Sequence, residues 1–145
     1  MTSSLLDNKI FVAGGQESVD APIASKHFFM LDLSDVKAGW KCLPAWPGAP
    51  RGYAVSAVQS DGFDKCFYLF SGRNYQNENI DVLTDGYAYN PRLSTWKKLE
   101  GRFPVMAGAA VASGANHIIF LGSVQKMIDG SDTHPGFDNK LRIYQ

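Results

Sequence analysis

Ile10-Phe11-Val12-Ala13-Gly14-Gly15, Tyr68-Leu69-Phe70-Ser71-Gly72-Arg73 and Ile118-Ile119-Phe120-Leu121-Gly122-Ser123 carry one signal three times, an apolar run that stops at glycine. Aligned on Gly14, Gly72 and Gly122, the copies lie 58 and 50 residues apart. A second marker keeps step with the first. Leu31-Asp32-Leu33 leads to Trp40 and Tyr87-Ala88-Tyr89 leads to Trp96, each member shifting by 56 residues, and Arg142-Ile143-Tyr144 is a third copy of the segment. A repeat near 50 residues means that each copy is one supersecondary unit, burying its apolar face against its neighbours.

Within a copy the pattern is of short strands separated by turn chemistry, with no ten-residue helical stripe. The second copy predicts strand A over Tyr53 to Gln59, B over Cys66 to Ser71, C over Gly86 to Tyr89 and D over Thr95 to Leu99. Asp61-Gly62 is suited to the A–B turn and Asn90-Pro91 to the opening of the C–D turn. Strand A is made of small residues: Ala54, Ser56 and Ala57, then Ala107, Gly108, Ala109, Ala110 and Ala112. Blades packed around an axis have least room at their innermost strand, so this choice predicts an all-β propeller. A two-sheet sandwich has the same strand count but does not explain the period. The expected blades run over about 1–46, 50–101 and 104–145, the third incomplete.

Composition narrows the function. The chain is 45% hydrophobic and 12% aromatic, a globular balance, and its fourteen basic and fourteen acidic residues cancel. With Lys97-Lys98 as the adjacent basic pair of note, no footprint for a phosphate backbone is visible, so nucleic acid is not an expected partner. Apolar runs such as Ile118 to Leu121 are far short of the ~20 residues that span a bilayer, so no membrane insertion is expected. Met1 to Asp7 lacks the charged and apolar regions of a secretory signal. Cys42 and Cys66 are expected as free, half-buried thiols, one possible bridge being the other reading.

The glycine-closed strand B, the aromatic on strand C and the tryptophan opening strand D together resemble the kelch repeat. Longer stretches sharpen this: Gly39-Trp40-Lys41-Cys42-Leu43-Pro44, Trp46-Pro47-Gly48-Ala49-Pro50-Arg51, Thr84-Asp85-Gly86-Tyr87-Ala88-Tyr89-Asn90-Pro91 and Pro104-Val105-Met106-Ala107-Gly108. From about Lys9 to Tyr144 the chain resembles the N-acetylneuraminate epimerase family of kelch proteins, including its cyclically permuted branch. The resemblance implies a six-bladed propeller, of which this chain looks like half, acting as a sialic acid mutarotase in the periplasm or otherwise exported. It also implies an acid/base glutamate in a Gly-Glu stretch with an arginine a few residues on. No such stretch is present, so no catalytic residue is expected here.

Meander parity then places the binding end. Strands A to D alternate direction, so the D–A and B–C connections share one end of the propeller, and the long B–C connections, Gln16 to Lys26, Arg73 to Thr84 and Val124 to Asn139, are the expected binding loops. Arg51 and Arg73 fall at that end and are substrate-binding candidates for a sugar carboxylate, rim arginines paired with a neighbouring acid being the other reading. Met106 is a third candidate, or else a gap-filling core methionine. His27, His117 and His134 show no ligand spacing, and neither a metal nor another cofactor is expected. His134-Pro135-Gly136 resembles a loop of the family. Two further readings stand beside the enzyme: a non-catalytic module binding a glycan or protein through the B–C loops, and self-association through open blade faces.

Overall fold

The computed structural model describes residues 1–18, 21, 23–76, 79–124 and 137–145. Among these residues the chain forms three antiparallel sheets and no α-helix, with a single 3-10 turn at Val36–Ala38. The first sheet holds β1 (Thr2–Leu6), β2 (Lys9–Ala13), β3 (Phe28–Asp32) and β4 (Lys41–Leu43). The second holds β5 (Val55–Ser60), β6 (Lys65–Gln76), β7 (Asn79–Asn90) and β8 (Thr95–Lys98). The third holds β9 (Ala109–Ser113), β10 (His117–Leu121) and β11 (Arg142–Tyr144). Each is a meander in which sequence neighbours are sheet neighbours. The expected turns form: the Asp61 carboxylate accepts from the amides of Phe63 and Asp64, and the Asn90 side-chain oxygen accepts from those of Arg92 and Leu93.

The first strands, β1, β5 and β9, lie side by side as the innermost strands of successive blades. Small hydroxyls let them approach: Ser56 shares hydrogen bonds with Thr2 at 2.7 Å and with Ser4 at 2.9 Å. The next gap is spanned by Gln59, whose amide donates to the His117 carbonyl at 2.8 Å.

Two cores fill the spaces between the sheets. Leu6, Phe11, Ala13 and Phe28 of the first blade pack on Phe67, Leu69, Tyr87 and Tyr89 of the second, with Trp46 between them. Val55, Ala57, Tyr68 and Phe70 of the second blade pack on Ile118 and Phe120 of the third, joined by Phe103 and Val105. Strand β6 is therefore buried on both faces, Phe67 and Leu69 toward one neighbour and Tyr68 and Phe70 toward the other. Trp96 reaches the first core, its ring 4.8 Å from Phe28 and its indole N–H on the Pro44 carbonyl at 2.8 Å. Its repeat counterpart Trp40 is 52% exposed, because no described sheet lies on that side of the first blade.

Three expectations need correction. First, the equivalent backbone positions are Gly14, Ser71 and Gly122, at φ 61°, 58° and 64°, rather than Gly14, Gly72 and Gly122. The true spacings are 57 and 51 residues. Gly15 and Gly72 follow at φ 113° and 115°. Ser71 sits in a bulge where the β6–β7 register shifts, a left-handed position that costs a serine about 1–2 kcal/mol relative to glycine. Its buried hydroxyl donates to the Leu83 carbonyl at 2.8 Å and offsets part of that cost.

Second, Arg73 to Thr84 is not a loop. Past the bulge β6 and β7 continue as a two-stranded arm, pairing Arg73 with Val82, Asn74 with Asp81, Tyr75 with Ile80 and Gln76 with Asn79. The β-branched Ile80 and Val82 favour that extended backbone. Third, the thiols are not alike. Both are free, but Cys42 is exposed and Cys66 is buried, and burial with the nearby Asp61 pushes the Cys66 thiol up to about 12.

Candidate functional site

The D–A connections and the ends of the second strands do meet at one end of the blades. Gly52 and Arg73 exchange backbone hydrogen bonds at 2.9 and 2.8 Å. The Gly15 amide donates to the Arg51 carbonyl at 2.8 Å, the Arg51 amide donates to that of Ser25 at 3.1 Å, and the Val124 amide donates to that of Met106 at 2.8 Å. Gly14 permits the first of these approaches, since a Cβ there would lie 2.3 Å from the Arg51 oxygen.

Arg51 is brought to this end but turned inward, and it is fully buried. Its Nη1 donates to Asp85 Oδ1 and to the Ser71 carbonyl, both at 2.9 Å, its Nη2 to Asp85 Oδ2 at 3.1 Å and its Nε to the Ala49 carbonyl at 3.3 Å. The guanidinium lies 5.5 Å from the ring centroid of Trp46 and 5.3 Å from that of Tyr87. The Tyr87 hydroxyl donates to Asp85 Oδ2 at 2.5 Å. Gly48 keeps the space open, because a Cβ there would fall 2.2 Å from that hydroxyl. Burial acts to raise the Asp85 carboxyl, but the bonds from Arg51 and Tyr87 and the Arg51 charge outweigh it and hold the group below the ordinary carboxylate range. Burial and the neighbouring Asp85 push the Tyr87 phenol up to about 12. This bidentate pair locks a blade junction, and its carboxylate partner belongs to the same chain.

Met106 is also buried, at 3% exposed. Arg73 has a different setting. Its guanidinium carbon stands 4.1 Å from the ring centroid of Tyr53, which is 48% exposed. Tyr53 and the adjoining Gly52 line an open cavity of about 450 Å³ together with Met1, Gln16 and Ser18. Tyr53 adopts a left-handed backbone at φ 54°, and Ala107 repeats it one blade later at φ 56°. The strained turn is thus a property of the repeat, whereas the aromatic ring beneath a cation occurs in the second blade.

Sequence reasoning missed Asp85, Tyr87 and Tyr53. Asp85 and Tyr87 stand two apart on one strand face, a spacing that signals a shared partner only once Arg51 is placed beside them. His27 bonds Ser25 at 3.0 Å, and His134 lies outside the described residues. Among the described residues no three His, Cys, Asp or Glu converge on a metal geometry, and no helix is long and apolar enough to cross a membrane.

With this arrangement in view, the chain has identifiable relatives. The N-acetylneuraminate epimerase family matches residues 2–131. A kelch domain-containing protein of Vibrio cholerae is 36% identical over 103 residues, covering 68% of this chain and 28% of that protein. An N-acetylneuraminate epimerase of Haemophilus influenzae is 33% identical over 118 residues, covering 80% of this chain and 28% of its own length. The solved structure of YjhT superposes with a TM-score of 0.64 at 22% identity, over 84% of this chain and 33% of that one, which shows the kelch β-propeller fold. The matched stretches cover under a third of these curated relatives. By sequence and by fold, this chain belongs to the N-acetylneuraminate epimerase family.

Proposed function

We propose that this chain supplies part of the substrate-binding wall of a sialic acid mutarotase, with Arg73 as the residue that takes the sugar carboxylate. The observation that carries the reading is the Arg73 guanidinium stacked on Tyr53 beside an open cavity at the end where the connections converge. A guanidinium fork matches a carboxylate in bidentate geometry, and the Tyr53 ring offers an apolar surface to the pyranose. Arg51, held by Asp85, acts from behind by fixing the backbone of Gly52, which in turn bonds Arg73.

Mutarotation asks for a base at the anomeric hydroxyl and an acid at the ring oxygen. The bond between ring oxygen and anomeric carbon opens to a ketone and recloses on the other face. Asp85 is unsuited to either role, because Arg51 and Tyr87 stabilise its charged form. The acid and base are assigned to blades that this chain does not contain, and a periplasmic or exported setting belongs to the same reading. The two-stranded arm of β6 and β7 favours a second reading, a module that binds a glycan without converting it.

Binding separates these ideas from failure. By saturation-transfer NMR on the 145-residue chain, N-acetylneuraminate is expected to bind and its methyl ester to bind poorly, and Arg73→Gln is expected to weaken the acid about tenfold, the loss of one charge-assisted contact. Equal binding of acid and ester, or an unaffected Arg73→Gln, removes the carboxylate assignment. Exchange of anomers catalysed by a protein carrying the remaining blades decides between the wall of an enzyme and a glycan-binding module.

A further inference from the structure

The end of the blades opposite Arg73 holds a cleft of its own. Meander parity puts the A–B and C–D turns there, and an open cavity of about 430 Å³ lies between the first blade and those turns of the second. Phe11, Met30 and Leu43 of the first blade and Tyr89 of the second give it an apolar wall, and its mouth carries charged side chains from β2 and from the turns. Both walls are four-stranded sheets, so the cleft is built from blades that the chain provides whole.

Tyr89 stands apart from the other polar aromatics of the first core. It is 2% exposed, and a buried tyrosine hydroxyl ordinarily finds a partner. Its neighbours do: the Trp46 indole donates to the Ala49 carbonyl at 2.9 Å, that of Trp96 to the Pro44 carbonyl at 2.8 Å, and the Tyr87 hydroxyl to Asp85. Among the described residues the Tyr89 hydroxyl has no hydrogen-bond partner. Phe11, Phe28 and Trp96 hold its ring, so the hydroxyl is the polar group that Tyr89 offers the cleft. Lys9, two residues before Phe11 on β2, shares the face of that wall. Its ammonium stands 3.9 Å from Asp32, beyond hydrogen-bond reach. The remaining charges at the mouth pair closely, Lys65 with Asp7 at 3.1 Å and Arg92 with Asp64 at 2.7 Å. Three cations against two acids line the cleft, which leaves one positive charge in excess, at Lys9.

We infer that this cleft binds an apolar monocarboxylate, its aryl or branched alkyl stem lying on Phe11, Met30 and Leu43 and its carboxylate accepting from the Tyr89 hydroxyl and the Lys9 ammonium. Each feature selects one part of that ligand. The wall favours a stem that leaves water on binding. A carboxylate only accepts hydrogen bonds, which suits the two donors, and its single charge matches the single excess cation. The assignment stands apart from the sugar-binding reading, because Arg73 and Tyr53 lie at the other end of the blades.

A backbone-amide NMR titration of the 145-residue chain with phenylacetate tests this, with phenylacetamide as the probe that lacks the charge and acetate as the one that lacks the stem. Phenylacetate is expected to shift the amides of Lys9, Phe11, Lys65 and Arg92, and the other two probes to bind about tenfold more weakly or less. Tyr89→Phe is expected to weaken phenylacetate about tenfold, the loss of one hydrogen bond to a charged group. Its melting temperature is expected to equal or exceed that of the parent, because no bond within the protein is broken. Lys9→Gln is expected to weaken phenylacetate about fivefold, and Arg73→Gln to leave its binding unchanged. Absence of phenylacetate binding, equal binding of the amide or of acetate, an unaffected Tyr89→Phe, a lowered melting temperature in that variant, or binding lost in Arg73→Gln would each overturn the inference.

Discussion

The two blade junctions solve one packing problem with different chemistry. Arg51 and Val105 occupy the same place in the repeat, just before the left-handed residues Tyr53 and Ala107, and both are buried to within 1%. At the second junction an aliphatic side chain fills that place, and the polar work falls to Gln59 on the inner strand. At the first junction a cation fills it, which obliges the chain to provide Asp85, two carbonyls and two aromatic faces. The difference teaches that the repeat fixes which positions are buried and leaves open what each neighbourhood needs to satisfy them.

The largest test of this contrast is truncation at the shared position. Arg51→Ala leaves the Asp85 carboxylate without its counter-ion and is expected to cost about 3–5 kcal/mol in urea denaturation. Val105→Ala removes only apolar contact and is expected to cost about 2 kcal/mol. Should Arg51→Ala prove no more harmful than Val105→Ala, the ion pair is not what locks the first junction.

A smaller effect is expected at the second junction. Gln59→Leu strands the His117 carbonyl and the Ser60 amide it now satisfies, a loss of about 1–2 kcal/mol. Hydrogen exchange should quicken in β9 and β10 and leave β1 to β4 unchanged. Loss of protection spread evenly over all three sheets would mean that the blades unfold as one unit and that the clamp is not local.

The smallest effects are those of pH, and at the first junction they fall on Asp85 and Tyr87. Asp85 has its folded value lowered, so its contribution is present above the ordinary carboxylate value of 3.8 and is lost as pH falls below it toward the folded value. Tyr87 is raised from 10.0 to about 12, so its contribution is complete below pH 10.0 and is lost between there and about 12. Ultraviolet titration should show the Tyr87 phenol ionising late together with those of Tyr68 and Tyr144, which burial also raises, and Asp85→Asn should both flatten the acid limb of stability and bring the Tyr87 phenol earlier. An acid limb unchanged by Asp85→Asn would assign it to other carboxylates.

Much of the fold was legible. Three strand ends, two tryptophans and the small residues of strand A specify blades of one kind, because burial periodicity and steric room are local consequences of residue type. What misled was identity: Gly72 looked like the partner of Gly14, yet Ser71 holds the matching backbone, since a buried hydroxyl bonded to Leu83 makes the left-handed position tolerable. The arm beyond it read as a loop because Arg73, Asn74 and Gln76 are polar, although its partner is the start of β7, which follows within a few residues. At the site, parity placed Arg51 and Arg73 at one end of the blades, and there the structure has them. It was silent on their direction, which separates a fully buried lock from a half-buried cation over an aromatic ring.

The amino-acid order by itself determined the period, the strand order within each blade, the turns at Asp61 and Asn90, and which strands lie innermost. All of these follow from interactions within about one repeat. The tertiary structure alone decided that Arg51 points into a junction and Arg73 lies over Tyr53, and that Trp96 is packed while Trp40 is bare. The physical reason is that burial and charge pairing at these positions depend on whether a neighbouring blade is present, and on what it offers, across tens of residues of intervening chain.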